Sequence, residues 1–493
     1  MSHDGPEVSS TGALETDAED LRTLLDTTTE AVVEHLRSLP ERPVAPDGPV
    51  DPTEIRRWLR EGYGFESPRP GAEVVRDVVA ALGRWGVHPT HPGYFGLFNP
   101  TPTAAGIAGE LVAAGVNPQL AAWSHAPAAV EVERHLVAFL ASQLGMPADS
   151  GGTFTTGGAE ANLTAVLLAL VRAFPAYREH GLRSLEGQPV FYASAESHLA
   201  WVKIAQMVGL GREALRLVPV GPGLEMDVDL LRDAIARDRE AGMLPFLVAA
   251  TAGTTGAGAI DPLASLADVA GDEGLWLHTD AAWAGAVVLS DRLRPLLAGI
   301  DRSDSVTVDA HKWLSVPMVA GMLMTRHPAQ LPEAFALSTS YMPGAVEDAV
   351  EPYTTSVQWS RRFAGLKLLL SLAVHGRSGY AAQLERDVRL GELLADRLEA
   401  TGWRRVNRTP LPVVCVEDPD ASELGDPEAW TWHTDVADRV VETGRCWISP
   451  VRLAGRPALR ACITSHRTGT DDLDRLVEAM GKARAAMSQQ VST

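Results

Sequence analysis

The sequence predicts an α/β fold, a mostly parallel sheet covered by helices, and three observations predict it. From Pro189 onward, apolar β-type runs alternate with helical patterns, the order that builds a parallel sheet. A second group of short strands with a closing helix follows a long helical stretch, as in a small α+β unit. The chain has 493 residues, 45% of them hydrophobic and 22% charged. It therefore exceeds the roughly 250–300 residues at which single cores stop growing, and two or three structural units are expected.

In order along the chain, MSHDGPEVSSTGALETDAED is acidic and polar, and residues 1–20 are expected to be a disordered tail. Residues 21–100 form an N-terminal helical segment, with a helix from about Ala18 to Leu39 and a Pro-rich connector, ERPVAPDGPVDP, that cannot continue it. Residues 101–380 make the large domain. There PVFYASA precedes the helical HLAWVKIAQMVGL, RLVPV precedes MDVDLLRDAIARDREAG, and FLVAAT runs into a Gly/Thr-rich turn. LWLHTDAAW, SVTVDAHKW and GMLMTR supply further strands. A helical stretch from about Val357 to Gly402, broken near His375–Tyr380, leads into the small unit at 381–493, which holds the strands PVVCV and LRACIT and the helix DDLDRLVEAMGKARAAM.

Composition excludes several partners. Lys plus Arg total 43 against 63 Asp plus Glu, a formal charge of -20 that repels nucleic acid and anionic membranes. The most apolar windows, LTAVLLALVRAF and LKLLLSLAVHG, are too short and interrupted to span a bilayer. Cys415, Cys446 and Cys462 are odd in number and form no CxxC pair. The N-terminus reverses a signal peptide's order, so a cytoplasmic location is expected. His88 and His91 lack the nearby acids or cysteines that a metal site needs, and no metal is expected.

The chemistry starts from VDAHKWLSV. Most lysines solvate, but Lys312 follows the valine-rich SVTVD, just beyond a strand end, where α/β enzymes place functional groups. An amine moved out of water there becomes a usable nucleophile, and Schiff-base formation is the chemistry that most often wants one. In TFTTGGAEANLTA, Gly157 and Gly158 precede an apolar helix with Glu160 in its first turn, a cradle for phosphate or a plain turn. Asp280 ends LWLHTD, either capping the next helix or pairing with a protonated pyridine nitrogen. The 32 residues from Asp280 to Lys312 match neighbouring βα units. His198 opens a helix after PVFYASA, where a flat ring has room to stack on it; Thr254 and Thr255 occupy a turn at another strand end. GxGxxG, Walker A, GxSxG and HExxH are absent. Pyridoxal phosphate has parts that match the four groups together.

Between roughly residues 85 and 475 the chain resembles the group II pyridoxal-phosphate decarboxylases, the aromatic L-amino acid, glutamate and histidine decarboxylases of aspartate aminotransferase-like fold type I. HPGYFGLFNP, APAAVEVE, TTGGAEANLTA, HTDAAWAG, DAHKW and WSRRFAGLK carry the resemblance, in the family order. It implies that Lys312 holds pyridoxal 5'-phosphate as an internal aldimine, that Asp280 pairs with the pyridine nitrogen and that His198 stacks on the ring. Gly157, Gly158 and His311 would lie near the phosphate, and Thr255 close to the cofactor. An amino acid substrate would lose carbon dioxide to give an amine through a quinonoid, reprotonated by a loop tyrosine. Tyr353, eight residues before Arg361, is the candidate, with an ordinary loop tyrosine as the alternative. The family's homodimer, with its active site at the subunit interface, is implied as well.

The departures concern substrate. Asp309 stands where the animal aromatic enzymes have asparagine. Gln119 and Ala121 occupy positions where the aromatic branch carries bulky apolar residues. Phe98 lies in the segment near the substrate, and Arg460, on what reads as an edge strand, is a candidate receptor for a substrate carboxylate. Aromatic, acidic, diamino and carrier-bound substrates stay open. The rivals are an aldehyde synthase on the same fold and a catalytically silent scaffold.

Overall fold

The computed structural model describes residues 14–491 apart from 338, 340–341, 343–345 and 347. Its centre is a seven-stranded sheet of β1 (Gly151–Thr155), β2 (Pro189–Ser194), β3 (Leu215–Val218), β4 (Leu244–Thr251), β5 (Trp276–Asp280), β6 (Ser305–Asp309) and β7 (Gly321–Thr325), in the order β1-β7-β6-β5-β4-β2-β3. The β3-β2-β4-β5-β6 block is parallel; β7 runs antiparallel to both β6 and β1. The glycine-led GGTFT of β1 gives no sequence signal for this edge.

Strands buried on both faces are largely apolar, with polar side chains concentrated in β5 and β6, and the period of two decides which core each apolar side chain joins. Val190, Tyr192, Val248, Ala250, Leu277 and Met322 enter one core, while Phe191, Ala193, Leu247, Ala249, Trp276 and Leu323 enter the other. Helix Gly158–Ala173 buries eight residues against the second.

A four-stranded sheet of β8 (Arg404–Arg405), β9 (Val413–Glu417), β10 (Ser449–Leu453) and β11 (Arg456–Cys462) has the order β10-β11-β9-β8. Val414, Val416, Leu459 and Ala461 face a separate core with the helices Asp426–Glu442 and Thr470–Val491, whereas Val413, Cys415 and Cys462 join the main one. Arg460 therefore lies not on an edge strand but on one paired on both sides, and it is buried.

Two other expectations shift. The helix expected from about Ala18 to Leu39 runs Ala18–Ser38 with Asp17 as its cap, so residues 18–20, counted also in the disordered tail, are helical. The long helix runs Gly365–Ala400, kinked at Gly376, and does not begin at Val357. Residues 357–364 are held out of it because Gln358 bonds Glu160 and Arg361 pairs with the buried Glu133. The boundary expected at 380/381 falls inside this helix, just past the kink. Among the described residues, no single helix is long and apolar enough to cross a membrane.

Candidate active site

The carboxyl ends of β1, β2, β4, β5 and β6 converge on a cavity of about 310 Å³. Its walls include Phe98, Gly157, Gly158, His198, Thr255, Asp280, His311 and Lys312, so eight candidate residues from distant segments share one space. The sheet dictates this. Asp280 pairs with Thr251 on one side and Thr307 on the other, and Lys312 lies three residues beyond the end of β6.

Lys312 is a quarter exposed and its Nζ lies 3.1 Å from Asp309 Oδ2. Asp309 is thus turned inward and pairs with the amine, while its Oδ1 is buried without a partner. His311 Nε2 lies 3.8 Å from the same carboxylate, and His311 Nδ1 accepts a hydrogen bond from the Ala320 amide. Burial, the largest influence on His311, pushes its pKa down. Asp280 accepts hydrogen bonds from Asn162 Nδ2 at 2.7 Å and from the nearby Ala282 amide at 3.1 Å. His198 is exposed in this chain and its Nδ1 accepts from the Ala200 amide.

The glycines are needed for close approach. A Cβ on Gly158 would meet Asp309 Oδ2 at 3.0 Å and Ala282 Cβ at 3.3 Å; one on Gly321 would sit 2.5 Å from the Gly157 Cα, which is how the antiparallel β7 reaches the loop. Glu160 is spent on this loop rather than on a ligand. It accepts from the Thr156 amide and hydroxyl and from Gln358.

Phe98 stacks on Trp283 (4.1 Å, 12°), and Trp283 on Trp313 (4.7 Å, 16°). The Arg460 guanidinium lies 4.9 Å over the outer face of Phe98, making a column of four flat groups. Trp313 in turn donates to the buried Asp387 at 2.9 Å. Arg460 does not line the cavity. Its Nη1 donates to the Gly96 carbonyl at 2.5 Å, while Nε and Nη2 are buried without a partner.

The structure keeps two further candidates, Tyr353 and Gln119, away from the cavity. Tyr353 sits in a short 3₁₀ turn with its amide on the Ala121 carbonyl and its ring tilted against Trp359. The side chain of Gln119 accepts from the Ala121 amide, and Glu351 accepts from the Trp123 amide. The 119–123 and 351–360 segments are therefore knitted together. Glu133 anchors the second of them through Arg361 at 2.6 Å and the Gly365 amide at 3.1 Å.

Sequence reasoning missed Asn162, Glu133 and Trp283. Asn162 carried one usable signal, a polar side chain on the buried face of an otherwise apolar helix.

The cavity fits pyridoxal phosphate on its own evidence. Thr251 Oγ1, Trp283 Nε1 and Asp309 Oδ1 line it as buried polar atoms without partners, beside a glycine cradle, an amine and a carboxylate. Comparison with known proteins points the same way. The pyridoxal-dependent decarboxylase conserved domain matches residues 64–416. The aromatic-L-amino-acid decarboxylase of Bacillus atrophaeus is 28% identical over 485 residues, 97% of this chain and 98% of that protein. The L-2,4-diaminobutyrate decarboxylase of Rhizobium meliloti (strain 1021) is 29% identical over 451 residues, 88% of this chain and 89% of that protein. The solved structure of Oryza sativa TDC with PLP and tryptamine has a TM-score of 0.90 at 25% identity and covers 97% of this chain and 100% of that one.

Proposed function

The chain belongs to the pyridoxal-dependent decarboxylase family, a carboxy-lyase acting on an amino acid with pyridoxal 5'-phosphate as cofactor, and from that premise we propose how its own residues divide the work. When bound, the cofactor supplies an electrophilic carbonyl and a sink for electrons. Lys312 offers the amine that anchors it. Asp280 would keep a proton on the ring nitrogen, His198 would face the ring, and Gly157, Gly158 and His311, with Thr255, would hold the phosphate end. The observation that carries this reading is the meeting of Lys312 and Asp280 in one glycine-cradled cavity at the ends of adjacent strands.

Phe98 forms a wall of the substrate site, and Arg460, outside the cavity and stacked on the far face of Phe98, braces that wall instead of receiving a substrate carboxylate. Once carbon dioxide has left, the substrate Cα needs a proton, and Tyr353 delivers it. Tyr353 and Gln119 lie together outside this chain's own cavity, which supports a homodimer in which each subunit completes the other's site. A reducing cytoplasm is the proposed location, supported by three buried cysteines without a disulfide.

Incubating the enzyme and cofactor with a pool of L-amino acids, and identifying what is released, tests the function. An amine with equimolar carbon dioxide is the expected result. An aldehyde with peroxide would assign an aldehyde synthase, and no release with no cofactor absorbance band would leave a silent scaffold.

A further inference from the structure

Behind Asp280 the buried polar side chains stand in single file. Trp276 Nε1 donates to Ser305 Oγ at 2.8 Å, and Ser305 Oγ lies 2.8 Å from His278 Nδ1. His278 Nε2 lies 3.0 Å from Asn162 Oδ1, and Asn162 Nδ2 donates to Asp280 Oδ2 at 2.7 Å. Thr307 Oγ1 gives Asn162 Oδ1 a second hydrogen bond at 2.8 Å. Every member is buried. The file crosses the sheet from β5 and β6 to the first turns of helix Gly158–Ala173.

The two ends fix the direction of every proton between them. An indole only donates, so Ser305 Oγ accepts there. A carboxylate only accepts, so the Asn162 amide group must face Asp280; the flipped amide would set two acceptors 2.7 Å apart. The Asn162 carbonyl then faces His278 Nε2 at 3.0 Å, where a bare nitrogen would set two acceptors together, so the imidazole proton is placed on Nε2; Thr307 Oγ1, 3.3 Å from the same nitrogen, gives its own proton to the Asn162 carbonyl. Bare Nδ1 accepts the Ser305 hydroxyl. Burial pushes the His278 pKa down to about 4, against the opposing charge of Asp280, so the ring stays neutral.

We propose that Asn162 and His278 are positioning residues, the His278 Nε2–H tautomer setting the Asn162 amide so that the Asp280 carboxylate is held facing the cofactor's ring nitrogen. The proposal rests on Asp280 as the ring-nitrogen partner. Asp280 and His278 call for the same orientation of the Asn162 amide, so a flip would break both contacts at once. A carboxylate that rotated away would leave the Asn162 and Ala282 donors buried and unmatched, which a low-dielectric interior penalises.

Nitrogen-15 NMR of histidine-labelled, cofactor-free protein tests the file directly. We expect His278 as the Nε2–H tautomer, without titration between pH 5.5 and 8 (roughly, for a group with a pKa of about 4). An Nδ1–H tautomer, or a midpoint near the ordinary value of about 6.5, overturns the proposal. In protein loaded with nitrogen-15-labelled pyridoxal phosphate, Asn162→Ala should lower ring-nitrogen protonation and weaken cofactor binding by roughly 10–100-fold, the usual cost of losing a supporting partner. His278→Leu should behave alike, whereas His278→Gln, which can still donate to the Asn162 carbonyl, should restore most of the signal. Unchanged ring-nitrogen protonation in folded Asn162→Ala and His278→Leu overturns the proposal. Asp280→Asn separates the two readings: if the ring nitrogen keeps its proton there, the Asp280 assignment itself fails. The tautomer measurement needs no variant and stands even if one does not fold.

Discussion

The candidate residues divide into a strand-built half that lines the cavity and a loop-built half that lies outside it, and the two are held in different ways. Asp280 and Lys312 project from neighbouring strands, and the sheet register sets their separation. Each has a partner within 3.1 Å, Asn162 for one and Asp309 for the other. Tyr353 and Gln119 ride on loops fixed to each other and to helix Pro127–Gln143 through the Glu133–Arg361 pair. The rigid half carries the groups that any amino acid would need. In the proposed reading the loop half carries those that meet the substrate from the partner subunit's side, which is the usual division between scaffold and loops.

The largest way to break this comparison is Lys312→Ala. We expect turnover and the cofactor's visible band to fall below detection, followed by amine release and absorbance; residual wild-type activity would move the chemistry out of the strand-built half. Tyr353→Phe comes next. Loss of a positioned acid should lower kcat by roughly 10²–10⁴-fold with cofactor affinity unchanged, and an unaffected kcat would demote the loop-built half to packing. Glu133→Ala leaves the Arg361 charge buried without its partner and should cost about 3–5 kcal/mol in denaturant unfolding.

The smallest effect is on pH dependence. Burial pushes Asp387, behind Trp313, up to about 7 from 3.8. Between those values the folded chain keeps a proton that the unfolded chain releases, so its stabilising contribution is present in acid and is lost as pH rises from about 4 to 7. Asp387→Asn should flatten the Tm-against-pH curve across that window. A parallel curve would mean that Asp387 is ionised in the folded chain throughout.

Legibility in the sequence divides along the same line. Strands β2 and β4 are nearly continuous apolar runs and β6 is an alternating, valine-rich one; Asp280 ends β5 and Lys312 follows β6 by three residues, so a local pattern locates both. β7 was legible as the strand GMLMTR but its antiparallel direction was not, because strand direction depends on what lies across the sheet, and the glycine-led β1 was not legible as a strand. Arg460 looked solvated because β9, the strand that closes the second side of β11 opposite its hairpin neighbour β10, comes from a distant part of the chain. Segment 357–364 looked helical because its apolar residues have helical spacing, and only the tertiary bonds of Gln358 and Arg361 show why it is not. Asn162 needed knowledge of which helix face covers β5.

The column of Arg460, Phe98, Trp283 and Trp313, ending on Asp387, draws on five separate stretches of one chain. Its members are therefore inherited as a set. A chimera with a crossover at the Gly376 kink would take Asp387 and Arg460 from one parent and the three aromatic rings from the other, with each stacked pair worth about 0.5–1.5 kcal/mol. Recombination between relatives should succeed where the parents match at these five positions and fail where they do not, however well the crossover loop itself is chosen.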